Sequence, residues 1–88
     1  MKKIDKNFNK LQGLMSKEVI LYFRKPQIIN GFKVYSTVLT YDQFNFNYTN
    51  QMCKLHARTI GSVQSFSQIQ NELFFNLSDL LTIKTVKP

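Results

Sequence analysis

Asn30-Gly31 stands between two β-rich runs, EVILYFRKPQII before it and FKVYSTVLTY after it. Both central residues of a two-residue type I′ turn need φ > 0, and Asn-Gly is a dipeptide that tolerates this at low cost. The chain is therefore expected to reverse at 30–31 and form a hairpin whose register follows from the turn. Counting back from it pairs Ile29 with Phe32, Gln27 with Val34, Phe23 with Val38 and Leu21 with Thr40 on a core-facing side. The other side then carries Ile20, Tyr22, Arg24, Tyr35, Leu39 and Tyr41. Pro26 has no N–H for a ladder, so the first strand should lie at an edge, bulge there, or end at Lys25.

Before the hairpin, Ile4, Phe8, Leu11 and Met15 recur at offsets of four, three and four, a helical stripe over about 5–16. Lys3, Lys10 and Lys17 recur every seven residues on roughly the opposite side: a solvated face, or a rail for phosphates. After the hairpin, Phe44, Phe46 and Tyr48 alternate with Asn45 and Asn47, as in a half-buried strand. Cys53, Leu55 and Ala57 alternate with Lys54, His56 and Arg58, which predicts a further strand with a basic outer face; a short helix over 50–60 capped by Gly61 is the competing reading. From Ser65 the spacing of Phe66, Ile69, Leu73, Leu77 and Leu80 predicts an amphipathic helix over 66–81, opened by Ser65 with Gln68 three residues on. TIKTVKP closes the chain as a short strand or a frayed tail. The expected fold is α+β: an N-terminal helix, a three- to four-stranded antiparallel sheet, and a C-terminal amphipathic helix packed on it.

Eighty-eight residues hold one small domain. A hydrophobic content of 43% and an aromatic content of 14% exclude a disordered chain of this charge. One cysteine rules out an internal disulfide, and the lysines of MKKIDKNFNK lead into no continuous apolar segment, so no secretion signal and a reducing, cytoplasmic setting are expected. The longest apolar run nearby, VILYF, is far short of a membrane span. The wealth of Asn, Lys, Ile, Phe and Tyr is what A/T-rich codons give, as in a low-GC bacterium, a phage or a mobile element.

Catalytic and metal signatures are weak. Cys53 and His56 are close in sequence, but residues three apart on a strand point to opposite faces. One Cys and one His fall short of a zinc set, the acids at 5, 18, 42, 72 and 79 form no close pair, and the three glycines stand apart. No enzyme activity, cofactor or metal is expected. What remains is charge: twelve Lys/Arg against five Asp/Glu, a formal +7. Tyr22, Arg24, Lys33 and Tyr35 on the hairpin, with Lys54, His56, Arg58, Lys10 and Lys17, interleave cations with rings, the composition of single-stranded nucleic-acid binders. The expected function is a basic, non-enzymatic binding protein contacting nucleic acid or a nucleic-acid-processing complex. The alternative is an inhibitor or accessory subunit of phage or mobile-element type that binds an acidic surface of a host protein, alone or as a homo-oligomer or part of a larger complex.

Overall fold

The computed structural model describes residues 2–29, 31–60, 63–64 and 72–86. Helix α1 (Lys2–Gly13) is followed by β1 (Glu18–Ile29), β2 (Phe32–Asn47), β3 (Met52–Ile60), a two-residue β4 (Val63–Gln64), β5 (Glu72–Asn76), a 3-10 turn (Leu77–Asp79) and β6 (Leu80–Thr85). The strands form one antiparallel sheet in which β6, β1, β2 and β3 are neighbours in that order, and the outer edge of β3 carries both β4 and β5.

The expected C-terminal helix is absent from the described residues: 72–81 form a strand, a 3-10 turn and the start of another strand. The rest of that segment, with Ser65 and Gln68, lies outside the described residues. The helical spacing has a simple origin. Leu73, Phe75 and Leu77 alternate inward as in any strand, and the three-residue turn then brings Leu80 inside at a spacing of three. Leu73, Leu77 and Leu80 thus share a buried side without sharing a helix.

That corner also shapes the molecule. Laid flat, β5 and β6 would be four strand spacings apart, roughly 19 Å. The four residue steps from Asn76 to Leu80 reach at most about 14 Å. The sheet must curl, and the chain ties its two edges into an open barrel. Asn76 caps the turn: its Oδ1 accepts from the Ser78 N–H (2.9 Å) and hydroxyl (2.7 Å), and its Nδ2 donates to the Asn50 carbonyl (3.1 Å).

The hairpin forms, with Ile29 opposite Phe32, Gln27 opposite Val34, and Gly31 at φ +85°. Asn30 lies outside the described residues. Beyond Gln27 the expected register fails. Tyr22 pairs with Ser36 and Leu21 with Thr37, so four residues of β1, 23–26, stand opposite Tyr35 alone. Three extra residues are an odd number, and an odd slip exchanges the two faces of β2. Val38 and Thr40, expected inside, are half-buried, while Leu39 and Tyr41, expected outside, are fully buried. Pro26 falls in the unpaired stretch, where no N–H is required.

Residues 52–60 are strand, with Cys53, Leu55 and Ala57 buried and Lys54, His56 and Arg58 turned outward. The strands expected at 32–41 and 44–48 are one continuous element, β2, which pairs with β1 along 32–40 and with β3 along 39–47. Helix α1 lies against the concave side, with Leu11 buried and Phe8 and Leu14 packed on the core. Met15 has passed out of the helix and is exposed. The Tyr41 hydroxyl donates to the Leu11 carbonyl and the Asn7 amide to the Leu80 carbonyl (3.1 Å), fixing the helix to both β2 and β6.

Candidate nucleic-acid interface

The residues singled out from the sequence fall into separate groups. Tyr22 is half-buried on β1, between Ser36 of β2 and Thr82 of β6. Tyr35 immediately precedes Ser36 on β2, so its side chain leaves the opposite face of the hairpin from Tyr22. The pair does not form one stacking surface. Arg24 is exposed in the unpaired stretch, and Lys33 is exposed opposite Ile28. Lys10 is half-buried in the last turn of α1, and Lys17 is exposed between α1 and β1.

Lys54, His56 and Arg58 do form a row on β3, but acids face it. Lys54 Nζ lies 3.9 Å from Glu72 Oε2. Register shifts at Tyr41 leave Asp42 without a partner on β3 and Arg58 without one on β2, a double irregularity of the kind that re-aims side chains. Asp42 consequently meets both His56 and Arg58, with Oδ1 2.9 Å from His56 Nδ1 and Oδ2 3.9 Å from the Arg58 guanidinium. This carboxylate is the feature the sequence concealed, since it lies fourteen residues from His56 and acquires its role only through the β2–β3 register. An imidazole held by a carboxylate is half of a catalytic arrangement. Cys53, however, points into the core, where burial pushes its thiol up to about 12, away from His56. Among the described residues no three His, Cys, Asp or Glu side chains gather as a metal would need.

The hairpin tip is different in kind. Past Phe23, β1 has no described β6 partner, and β2 has no described β3 partner before Leu39, so among the described residues 27–29 and 32–34 pair only with each other, with Ile29 buried in the core and Val34 packed against it. Ile28, Phe32 and Tyr35 are 63%, 72% and 61% exposed there. Arg24, Lys25 and Lys33 are exposed along the same hairpin, Lys33 on the face of Ile28 and Tyr35, and Phe32 on the other, and no acid occurs between Glu18 and Asp42 in sequence. Sequence reasoning names three of these residues, Arg24, Lys33 and Tyr35; it places Phe32 on the core-facing side of the hairpin and does not single out Ile28, because the register alone does not reveal how much of the tip stays in solvent.

A second concavity, of about 590 Å³, opens at the other end of β2, where the β2–β3 turn meets β5. Tyr48 of the turn and Phe74 of β5 border it, beside Asn45, Asn47 and Lys54. The turn is built by its asparagines: Asn47 Oδ1 accepts from the Thr49 N–H (2.8 Å), Asn50 Oδ1 from the Met52 N–H (3.0 Å), and Gln51 closes it at φ +61°.

No protein-family model, curated protein or solved structure matches the chain. No helix among the described residues is long and apolar enough to cross a membrane.

Proposed function

We propose that this chain is a non-enzymatic binding protein that takes single-stranded nucleic acid on the tip of its β1–β2 hairpin. One observation carries the reading: Arg24, Lys25 and Lys33 have no carboxylate in their stretch of chain, whereas the cations of β3 are faced by Asp42 and Glu72. Cations with no carboxylate in their stretch of chain attract phosphates, and the exposed ring of Tyr35 on the face of Lys33, with that of Phe32 on the other face of the hairpin, offers a stacking surface that every base accepts.

The magnitude is modest and measurable. Three phosphate contacts on a single strand give a slope of log K against log salt of about −2, or roughly a 20-fold loss between 50 and 200 mM. Fluorescence anisotropy with a labelled oligonucleotide should return that slope, and Arg24→Ala or Lys33→Ala should each make it shallower by about 0.7. Lys54→Ala and Arg58→Ala should have smaller effects, because their charges are already faced by acids. Binding indifferent to salt, or to both hairpin substitutions, overturns the proposal.

Ile28 and Phe32 favour a second reading, since apolar side chains rimmed by charge mark protein contacts. In that case the tip enters an acidic, partly apolar cleft of a partner protein. A pull-down that yields the same stoichiometric protein complex with and without nuclease would decide for it.

A further inference from the structure

We propose that the concavity at the β2–β3 turn is a pocket for a single nucleobase, with the attached phosphate held by Lys54. The inference deepens the nucleic-acid reading and rests on it, but it stands on residues remote in sequence from the hairpin tip.

The size is right: about 590 Å³ lies within the range of roughly 300–1,000 Å³ usual for small-molecule sites. Two rings line it while remaining open to solvent, Tyr48 at 79% and Phe74 at 54% exposed. Tyr48 is braced despite its exposure. Its ring meets Phe46 edge to face at 4.9 Å, and Phe46 in turn meets Phe8 of α1 at 5.2 Å. A ring held from behind loses little freedom when a base stacks on it.

The polar groups fit the edge of a base better than other ligands. Asn47 spends its Oδ1 on the turn, which leaves its amide N–H donors for a ligand. Asn45 makes no side-chain hydrogen bond to another described residue, so both its donor and its acceptor are free to pair with a base edge. Lys54 stands directly across the ladder from Phe74, and its contact with Glu72 is exposed and long at 3.9 Å, weak enough to yield to a phosphate. Among the described residues no acid lines the concavity. A purely apolar ligand would leave the amides unpaired, and inorganic phosphate would leave the rings unused.

The test is calorimetric titration of the full chain with AMP, UMP and ribose 5-phosphate. At least one nucleotide should bind with a Kd of about 1 mM or tighter, and ribose 5-phosphate at least about tenfold more weakly. Tyr48→Ala and Phe74→Ala should each cost about tenfold, whereas Tyr48→Phe, which keeps the ring, should retain binding. Lys54→Ala should weaken the nucleotide and spare the nucleoside. Both rings are exposed, so these variants leave the core intact, and circular dichroism verifies it. Ribose 5-phosphate binding as well as the nucleotides, no saturable binding of either nucleotide, or indifference to both ring deletions overturns the pocket. If oligonucleotides still bind through Arg24 and Lys33 while mononucleotides do not, the pocket fails and the hairpin reading stands. If mononucleotides bind but the hairpin variants leave oligonucleotide binding unchanged, the reverse holds.

Discussion

Replacing Tyr41 by Phe removes one oxygen atom from the core and strands another. The Tyr41 side chain is fully buried, and its hydroxyl donates to the carbonyl of Leu11 in the last turn of α1. Carbonyls there have no intrahelical N–H to receive, and the neighbouring donors are committed elsewhere: Leu14 N–H to Lys10 (3.0 Å) and Ser16 N–H to the Tyr41 carbonyl (2.7 Å). Without the hydroxyl, the Leu11 carbonyl stays buried and unpaired, at a cost of about 1–3 kcal/mol. For a domain of this length total stability is about 4–13 kcal/mol, so the loss is a substantial fraction of it. At roughly 4–8 °C per kcal/mol, Tm should fall by about 4 to 24 °C. Thermal unfolding followed by circular dichroism measures the shift, and amide hydrogen exchange should show α1 losing protection before the sheet does. A Tm within about 2 °C of the parent, with exchange in α1 unchanged, would refute the claim that this bond anchors the helix.

Cys53 should resist thiol reagents at pH 8 while the protein is folded and react fully once it is unfolded, because the thiolate is disfavoured in the core. The same burial makes stability pH-dependent. The unfolded thiol loses its proton near its ordinary 9.0 and the folded one only at about 12, so stability should fall as pH rises through that interval, and Cys53→Ala should flatten the decline. Tyr41, also raised by burial, adds to the fall above about pH 10, which leaves a residual slope in that variant. Asp42→Asn removes the carboxylate facing His56 and Arg58, and should tighten oligonucleotide binding by less than Arg24→Ala weakens it. A larger gain in the same anisotropy assay would move the interface from the hairpin tip to β3.

Elements marked by local chemistry were legible in the sequence. The stripe of Phe8 and Leu11 located α1, Asn30-Gly31 located the reversal, and the alternation of Cys53, Leu55 and Ala57 located β3 and its basic outer face. What was hidden depends on pairing between distant segments. The 3-10 corner imitates helical periodicity because a three-residue turn between two strands shifts the inward set by an odd number, and no residue within 72–81 distinguishes the two origins. The candidate pocket was hidden for a similar reason. Phe74 becomes a neighbour of Lys54 only through the β3–β5 ladder, and the sequence assigned Phe74 to a helix.

The core and the candidate interface were misplaced together because one irregularity sets both. Had β1 carried two or four extra residues opposite Tyr35, Leu39 and Tyr41 would have stayed on the outer face and the bond from Tyr41 to Leu11 could not form. Three extra residues turn Tyr41 inward toward α1. The same three leave 23–26 without partners on β2, and each residue there meets that condition in its own way: Phe23 turns into the core, 5.4 Å from Phe75, Pro26 has no N–H to satisfy, and Arg24 and Lys25 are left in solvent. The unpaired cations at the hairpin tip are therefore a consequence of the register that buries Tyr41, and a chain that kept the core could not withdraw them into the ladder without replacing them.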